Sequence, residues 1–528
     1  MNTLHPIGVL KSFHVESRYI QKSLPLFQKL TQNKTNNLLF DSAEISTKAH
    51  LKSIMLLDAC LKITCHGLQV TFETLTDNGK DLLIFITPQF SIQYIEKQST
   101  TKLCVSFPKA GSDIDEEQRL KSASPMDALR SLLKKINIHS KHPQALFLGG
   151  IFAYDFIATF EQLIEVPESE NSCPDFVFYV AETLLIQDHQ NKTCEILGSV
   201  FGGIYSDANV IRIHTRLNEL QDICENFTTP EMPLIPLQGK IVTDVSDKQY
   251  KDIVIQLKQH ILKGDIFQVV PSRSFYLHCP NPMGAYAKLK ETNPSPYMFY
   301  LKDSDFILFG ASPESALKYT KKSNDVEIYP IAGTRKRGLN KDGTINHDLD
   351  SRLELDLRLD KKETSEHLML VDLARNDIAR ISIPGTRHVA ELLKVDRYSH
   401  VMHLVSRVVG KLRADLDALH AYQASMNMGT LVGAPKIRAS DLVRSVEKKR
   451  RGSYGGAVGY LNGQGDMDTC IVIRSAFVKN NIAQAQAGAG IVFDSVPAQE
   501  ADETRHKAAA VLNAIAQAHG VTLNDVEV

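Results

Sequence analysis

The sequence predicts an α+β chain in which antiparallel β-sheets carry helices on their outer faces, and three observations lead there. Runs rich in β-branched and aromatic residues recur between short polar turns, as in FVFYVAETLLIQDHQNKTCEILGSVF, where DHQNKT divides two strands. Segments with apolar residues at helical spacing are interleaved with them. At 528 residues the chain exceeds the size at which one hydrophobic core stops growing, so two or three domains, or two interlocked halves, are expected.

The elements follow in order. The N-terminal half is mainly β in character, with SIMLLDACLKITCHGLQVTFETL as a further strand region. Between Phe227 and Lys240 the sequence reads FTTPEMPLIPLQGK; Pro230, Pro233 and Pro236 favour extended polyproline geometry and exclude regular helix or sheet. The expected organisation is an N-terminal domain over residues 1–235, a proline-rich linker over 228–240 and a C-terminal domain over 241–528. Downstream, Tyr250, Ile253, Val254, Leu257 and Ile261 mark one face of a helix that stops at Lys263 and Gly264. IFQVVPSRSF follows as a strand. FILFGAS, EIYPIAG, VMHLVSRVVG, GAVGYL, CIVIRSAFV and AQAQAGAGIVF are further strands, interleaved with helices near 346–378, 417–448 and 498–517.

Sixty basic residues against 61 acids leave a net charge of -1, so no global positive field holds nucleic acid or an anionic membrane. No uncharged apolar run approaches a membrane span, and the N-terminus lacks the pattern of a secretory leader; the expectation is a cytoplasmic protein. Eight cysteines are scattered without a second ligand pair at zinc spacing, which reads as free thiols in a reducing compartment.

Several residues could carry chemistry. The AGAG string, Ala487 to Gly490, lies between strand runs; it is either a plain glycine-rich turn or a place where exposed N–H groups hold a carboxylate. GSYGGAVGY has the same ambiguity. Glu366 and Glu503 are expected at the starts of helices, where an acid interacts with the dipole, or alternatively facing inward to share a hard cation such as Mg²⁺. Lys507, four residues after Glu503, makes either a surface ion pair or an anion-binding group. Arg474 interrupts an apolar strand, where a guanidinium needs a partner and a planar carboxylate ligand is a natural one. His403 interrupts another, as a satisfied core histidine or a proton shuttle.

As a set these residues resemble the chorismate-binding enzyme family. The resemblance is carried in order by IFQVVPSR, NPSPYMFY, FGASPES, YPIAGTR, SEHLMLVDLARND, VMHLVS, GAPK, GSYGGAVGY, CIVIRS, AGAGIV and ADETR. It implies two interlocked layered domains that enclose an active site in a cleft. It also implies Mg²⁺ on Glu366 and Glu503, and chorismate against Gly333, Thr334, Tyr454, Arg474, Gly488, Ala489 and Gly490, with Lys507 as a further positive partner. Glu314 matches the family's general acid and His403 its histidine near the ring, and Thr334 joins them among the catalytic groups. Two carboxylates and Mg²⁺ cancel in charge, leaving a dianionic ring acid to be met by Arg474, Lys507 and backbone N–H groups.

The implied reaction is amination of chorismate by ammonia at ring C2 with loss of the C4 hydroxyl. Elimination of pyruvate then gives anthranilate, the first committed step toward L-tryptophan. Relatives that use water carry a lysine where this chain has Gln268, and those that make aminodeoxychorismate carry one where it has Ala332. Aminodeoxychorismate or isochorismate formation, or a non-catalytic amino-acid sensor, are the alternatives. None of the cysteines has the setting of a glutaminase nucleophile. The family solution is a separate glutamine amidotransferase subunit, expected in a heterotetramer of two large and two small subunits. LLFDSAEI resembles the family's L-tryptophan feedback site, pairing Ser42 with Pro296, Tyr297 and Met298. The chain contains no tryptophan of its own, which would suit an enzyme made when tryptophan is scarce.

Overall fold

A computed structural model describes residues 6–32, 34–42, 51–109, 111, 114–230, 234–237, 239–398 and 401–523. Among them, pairing links 23 strands into one hydrogen-bonded network. Its ladders are antiparallel apart from a short parallel one between Val9–Leu10 and Asn137–Ile138. The two N-terminal apolar runs become the strands Lys52–His66 and Phe176–Asp188, paired along most of their length. Phe176 to Gln187 are buried without interruption, because this strand is covered on both faces, and so its sequence lacks alternation.

Two ladders interlock the halves of the chain. Asn37–Asp41 pairs with Tyr297–Lys302, setting Leu39 opposite Tyr300. Phe147–Phe152 pairs with Ala457–Asn462, setting Gly149 opposite Tyr460. The cores mix accordingly: Leu148 and Phe178 share a cluster with Leu317 and Tyr422. Of the proline-rich segment, residues 231–233, Pro233 among them, and 238 lie outside the described residues; the flanking 227–230 and 234–237 form neither helix nor strand.

The helix after it runs Asp247–Leu262, opened by a capping box between Ser246 and Gln249, and buries Tyr250, Val254 and Leu257. It closes through Lys263 onto Gly264 at φ +78°, a left-handed conformation that glycine adopts at no steric cost. Other expectations are corrected at single residues. IFQVVPSRSF divides into Gln268–Val269 and Ser272–His278, because Pro271 has no N–H for the ladder. The helical region 346–378 is two helices, His347–Leu359 and Lys361–Ala379; Asp360 is extended between them, and its carboxylate accepts from the N–H groups of Lys362 and Glu363. The region 417–448 is three helices, Ala418–Ser425, Gly429–Val432 and Lys436–Glu447. Gly433 separates the last two at φ +117°, where a Cβ would stand 2.1 Å from the Gln268 carbonyl oxygen. The final helix, Pro497–Ala518, buries Ala508, Val511, Leu512 and Ile515 in one cluster with Ala285 and Leu289.

The eight cysteines are all buried and free. No helix of the described residues is long and apolar enough to cross a membrane.

Candidate active site

A cavity of about 460 Å³ opens between the helices Lys361–Ala379 and Pro497–Ala518 and the strands Ile331–Lys336 and Val401–Lys411. Into its wall come Gly333, Thr334, His403, Glu314, Tyr454, Arg474, Gly488, Gly490, Lys507, Glu366 and Glu503, so eleven expected site residues converge. Ala489 does not. Its side chain is fully buried in a cluster with Tyr250 and Ile491, and its N–H donates to the Tyr250 Oη and the Pro271 carbonyl. The cradle is therefore Gly488 and Gly490 alone. A Cβ on Gly488 would lie 2.6 Å from the Pro271 backbone oxygen, which explains glycine there, and one on Gly490 would lie 2.7 Å from Gln268 Nε2, the end of a side chain.

Two local expectations about charged residues also change. Glu366 and Glu503 sit in the second turns of their helices; the first-turn acids are Glu363 and Glu500. Both of these line the cavity too. The signal was available, since KETSE and EADE each carry two glutamates three apart, which puts both on one helix face. Arg474 lies between the strands Met467–Ile471 and Ser475–Lys479 at φ +49°, rather than within one. Such a backbone is uncommon outside glycine and asparagine and concentrates at functional sites.

The electrostatics separate the groups. Glu314 is buried, accepts a 3.0 Å bond from Thr430 Oγ1, and has its carboxyl pushed by burial up to about 8. His403 is driven down to about 4 by burial and by the Arg474 charge; its Nδ1 lies 2.9 Å from Thr334 Oγ1. Among the described residues no carboxylate stands within ion-pair distance of Arg474, whose own burial disfavours its charge. Burial also raises Glu366, whose Oε1 accepts a 2.6 Å bond from Gln268 Nε2. Lys507 Nζ is 2.5 Å from Glu503 Oε1 and donates to the Gly488 carbonyl at 2.9 Å. Glu363 is held by Arg335 at 3.1 Å.

Among the described residues no group of three or more His, Cys, Asp or Glu forms a ready-made metal cluster. Glu366 and Glu503 nevertheless face one cavity from two helices, and their oxygens suit a hard cation that takes few protein ligands and keeps water and substrate oxygens for the rest.

The inhibitor-site residues lie elsewhere, since none of Ser42, Pro296, Tyr297 or Met298 lines this cavity. Ser42 follows the strand Asn37–Asp41, and residues 43–45 of LLFDSAEI lie outside the described residues. Asp41 is opposite Met298 and accepts from Ser23 Oγ at 2.6 Å, from Ser53 Oγ at 2.7 Å and from Lys290 Nζ. Tyr297 Oη donates to Asp468 at 3.2 Å. A roomier hollow of about 730 Å³ near Lys34 and Arg212 has its acids already paired, Asp58 with Lys34 and Arg216, Glu182 with Arg212. Among the described residues it leaves no unpaired charge for a ligand to meet.

This fold agrees with what the chain is similar to. The model of the chorismate binding enzyme family matches residues 71–513, and the chain belongs to that family. It is 56% identical over 514 residues to anthranilate synthase component 1 of Vibrio cholerae, covering 97% of each chain. It is 52% identical to the protein of the same name from Escherichia coli K12, covering 98% of this chain and 99% of that one. The crystal structure of anthranilate synthase component I from Streptococcus pneumoniae superposes with a TM-score of 0.70 at 29% identity, over 94% of this chain and 99% of the other.

Proposed function

We propose that the chain is the large subunit of an anthranilate synthase, a Mg²⁺-dependent lyase that converts chorismate and ammonia to anthranilate and pyruvate. The observation that carries this reading is one cavity holding a guanidinium that has no carboxylate within ion-pair distance among the described residues, a carboxyl held protonated near neutral pH, and Glu366 and Glu503 from separate helices. High identity to proteins of that name supports it across the whole chain.

Glu366 and Glu503 would hold Mg²⁺, which when bound neutralises the ring carboxylate and stabilises charge that develops as the ring double bonds shift. Arg474 and the small-residue walls at Gly488 and Gly490 position the dianion. Ammonia attacks C2, the C1=C2 and C5=C6 double bonds shift to C1=C6 and C4=C5, the C4–O bond breaks, and the ammonium formed at C2 releases a proton to solvent. Hydroxide leaves poorly, so Glu314, an acid with its proton retained to about pH 8, delivers that proton and water departs. In the second half His403 takes the C2 proton, the freed electron pair forms the C2–C3 double bond that completes the aromatic ring as the C3–O bond breaks, and the departing enolpyruvate takes up a proton at its methylene carbon to become pyruvate. His403 is neutral and so able to accept. Chorismate cancels the Arg474 charge that depresses it, and the imidazole becomes more basic when substrate is bound.

Gln268 distinguishes this reading from water activation, since its amide donates to Glu366 and it has no amine with which to deprotonate water. We assign the ammonia supply to a separate glutamine amidotransferase subunit, in a complex of two large and two small chains. L-tryptophan feedback is assigned to Ser42, Pro296, Tyr297 and Met298, with the neighbouring Asp41 as the anionic group that the ammonium of an amino acid would meet. The division at residues 228–240 between a regulatory N-terminal part and a catalytic C-terminal part belongs to the same proposal. The test is the blue fluorescence of anthranilate on mixing the chain with chorismate, Mg²⁺ and an ammonium salt at mildly alkaline pH. No fluorescence growth with folded protein defeats the proposal.

A further inference from the structure

Behind the wall of the catalytic cavity lies a pair of charges that the proposed reaction does not use. The side chains of Arg451 and Glu447 are 2% and 5% exposed, and the guanidinium Nε and Nη2 donate to the two Glu447 oxygens at 2.9 and 2.6 Å. Lys448 ends the helix Lys436–Glu447 in a left-handed turn at φ +56°, and Arg451 comes back against the last helical side chain. The other N–H groups of the fork hold the cavity wall. Nη2 also donates to the Val270 carbonyl at 2.6 Å and Nη1 to the Leu431 carbonyl at 2.8 Å, and both residues line the cavity. Glu447 Oε1 in turn accepts from the N–H and the hydroxyl of Ser272 at 2.7 and 2.8 Å, and Ser272 pairs with Gly488 of the cradle. The guanidinium carbon stands 5.6 Å from the ring centre of Tyr454, within the range of cation–π attraction, and 4.5 Å from that of Tyr154.

We propose that Arg451 is a positioning residue for chorismate: anchored by Glu447, its guanidinium fixes the Tyr454 ring and draws electron density from it, so that the phenol hydroxyl is a stronger donor to a substrate carboxylate. The inference rests on the reading of this cavity as the chorismate site. A buried ion pair is a poor way to gain stability, because desolvation of both charges offsets their attraction, and apolar side chains of similar volume serve a core as well or better. What this pair supplies is direction. The planar fork is held by two carboxylate oxygens and two carbonyls at once, so the cation cannot swing away from the ring it faces. Tyr454 is itself buried in the cavity wall. Burial pushes its phenol up to about 12, and the Arg451 charge works against that rise. A hydroxyl whose proton is loosened by a fixed cation donates more strongly to an anion, and chorismate brings two carboxylates.

The test is a double-mutant cycle in the full-length chain, read as KM for chorismate with ammonium salt and Mg²⁺. Arg451→Lys keeps a charge beside Glu447 and forfeits the fork, and chorismate KM should rise about fivefold to tenfold with KM for ammonium within about twofold. Tyr454→Phe removes the hydroxyl and should raise chorismate KM at least as far. In the Tyr454→Phe background Arg451→Lys should add less than about twofold, because the group it works through is gone. A merely structural role lowers kcat through loss of folded enzyme and leaves chorismate KM in place, or acts equally in both backgrounds; either result overturns the proposal. Glu447→Gln keeps the question decidable should Arg451→Lys fail to fold. It leaves the guanidinium and loosens its anchor, so chorismate KM should rise about threefold where Tyr454 has its hydroxyl and stay level where it does not, and an unchanged KM in the first case counts equally against the role. A wild-type chain that makes no anthranilate at all overturns the proposed activity and this role with it, a result separable from an altered chorismate KM in an active enzyme.

Discussion

Two polar regions of this molecule are built in opposite ways. Among the described residues the Asp41 carboxylate already has its counterparts: it accepts from the buried Ser23 and Ser53 hydroxyls and from the half-buried Lys290. In the catalytic cavity Arg474 has no carboxylate among the described residues, Glu366 has only an amide, and Glu314 and His403 are pushed from their ordinary values by burial. A satisfied network stabilises a fold and exchanges partners when a ligand competes. Unsatisfied buried charge costs stability, and it persists where a ligand of complementary charge supplies the missing interaction. The contrast predicts that substitutions in the cavity act on rate and those near Asp41 on regulation.

The largest effect belongs to the acids assigned to the metal. Glu503→Gln or Glu366→Gln is expected to lower anthranilate formation by about a thousandfold, the scale of losing a preorganised electrostatic element. The fold should survive, as judged by circular dichroism. Near-normal rates in either variant would break the comparison. Glu314→Gln comes next, with a loss of about a hundredfold in kcat for the amination step. In the wild type, activity should fall as pH rises through about 8, because the acid form is the working form. The same group sets a stability trend: its folded value lies above the ordinary 4.5, so the folded state retains a proton that the unfolded chain releases. Stability contributed by that proton is present at low pH and is lost as pH climbs from about 4.5 to about 8, and the glutamine variant should flatten the loss. A smaller effect is expected for Arg474→Lys, which keeps charge but forfeits the bidentate fork; KM for chorismate should rise about tenfold with a modest change in kcat. An unchanged KM would remove Arg474 from the carboxylate site.

Much of this site could be read from the sequence, and the exceptions share a cause. Glu366 and His403 fall on a helix and a strand that spacing reveals, but their place in the site, like that of Glu314 in the turn between Ile307–Ser312 and Ser315–Thr320, was legible through the family resemblance. Arg474 was misplaced because no glycine or asparagine signals its left-handed turn in CIVIRSAFV; the break is imposed by the site. Ala489 was misassigned because a glycine-rich string does not say which N–H is already spent, and here Tyr250, from a helix far away in sequence, takes it. Asp360 ended a helix by capping the next one, a competition that periodicity alone does not reveal. The interlocking of the halves through Leu39 and Tyr300 is a nonlocal pairing, and strand runs carry no label of their partners.

The mildest catalytic effect is expected at the Asp41 region, and it tests the other side of the contrast. Ser42→Ala removes a hydroxyl next to a carboxylate whose partners are already in place. The chorismate cavity shares none of those residues, so kcat and KM without inhibitor should stay within about twofold. L-tryptophan binding should weaken about threefold to tenfold, the cost of one lost hydrogen bond. The measurement is direct, because the chain contains no tryptophan and bound ligand can be followed by its own fluorescence. Asp41→Asn sharpens the point: it strips the charge from Lys290's partner and should cost more binding than Ser42→Ala while still leaving turnover intact. If either variant lowered turnover as strongly as Glu314→Gln, the two regions would be one functional unit, and regulation by a separate ligand site would have no structural basis.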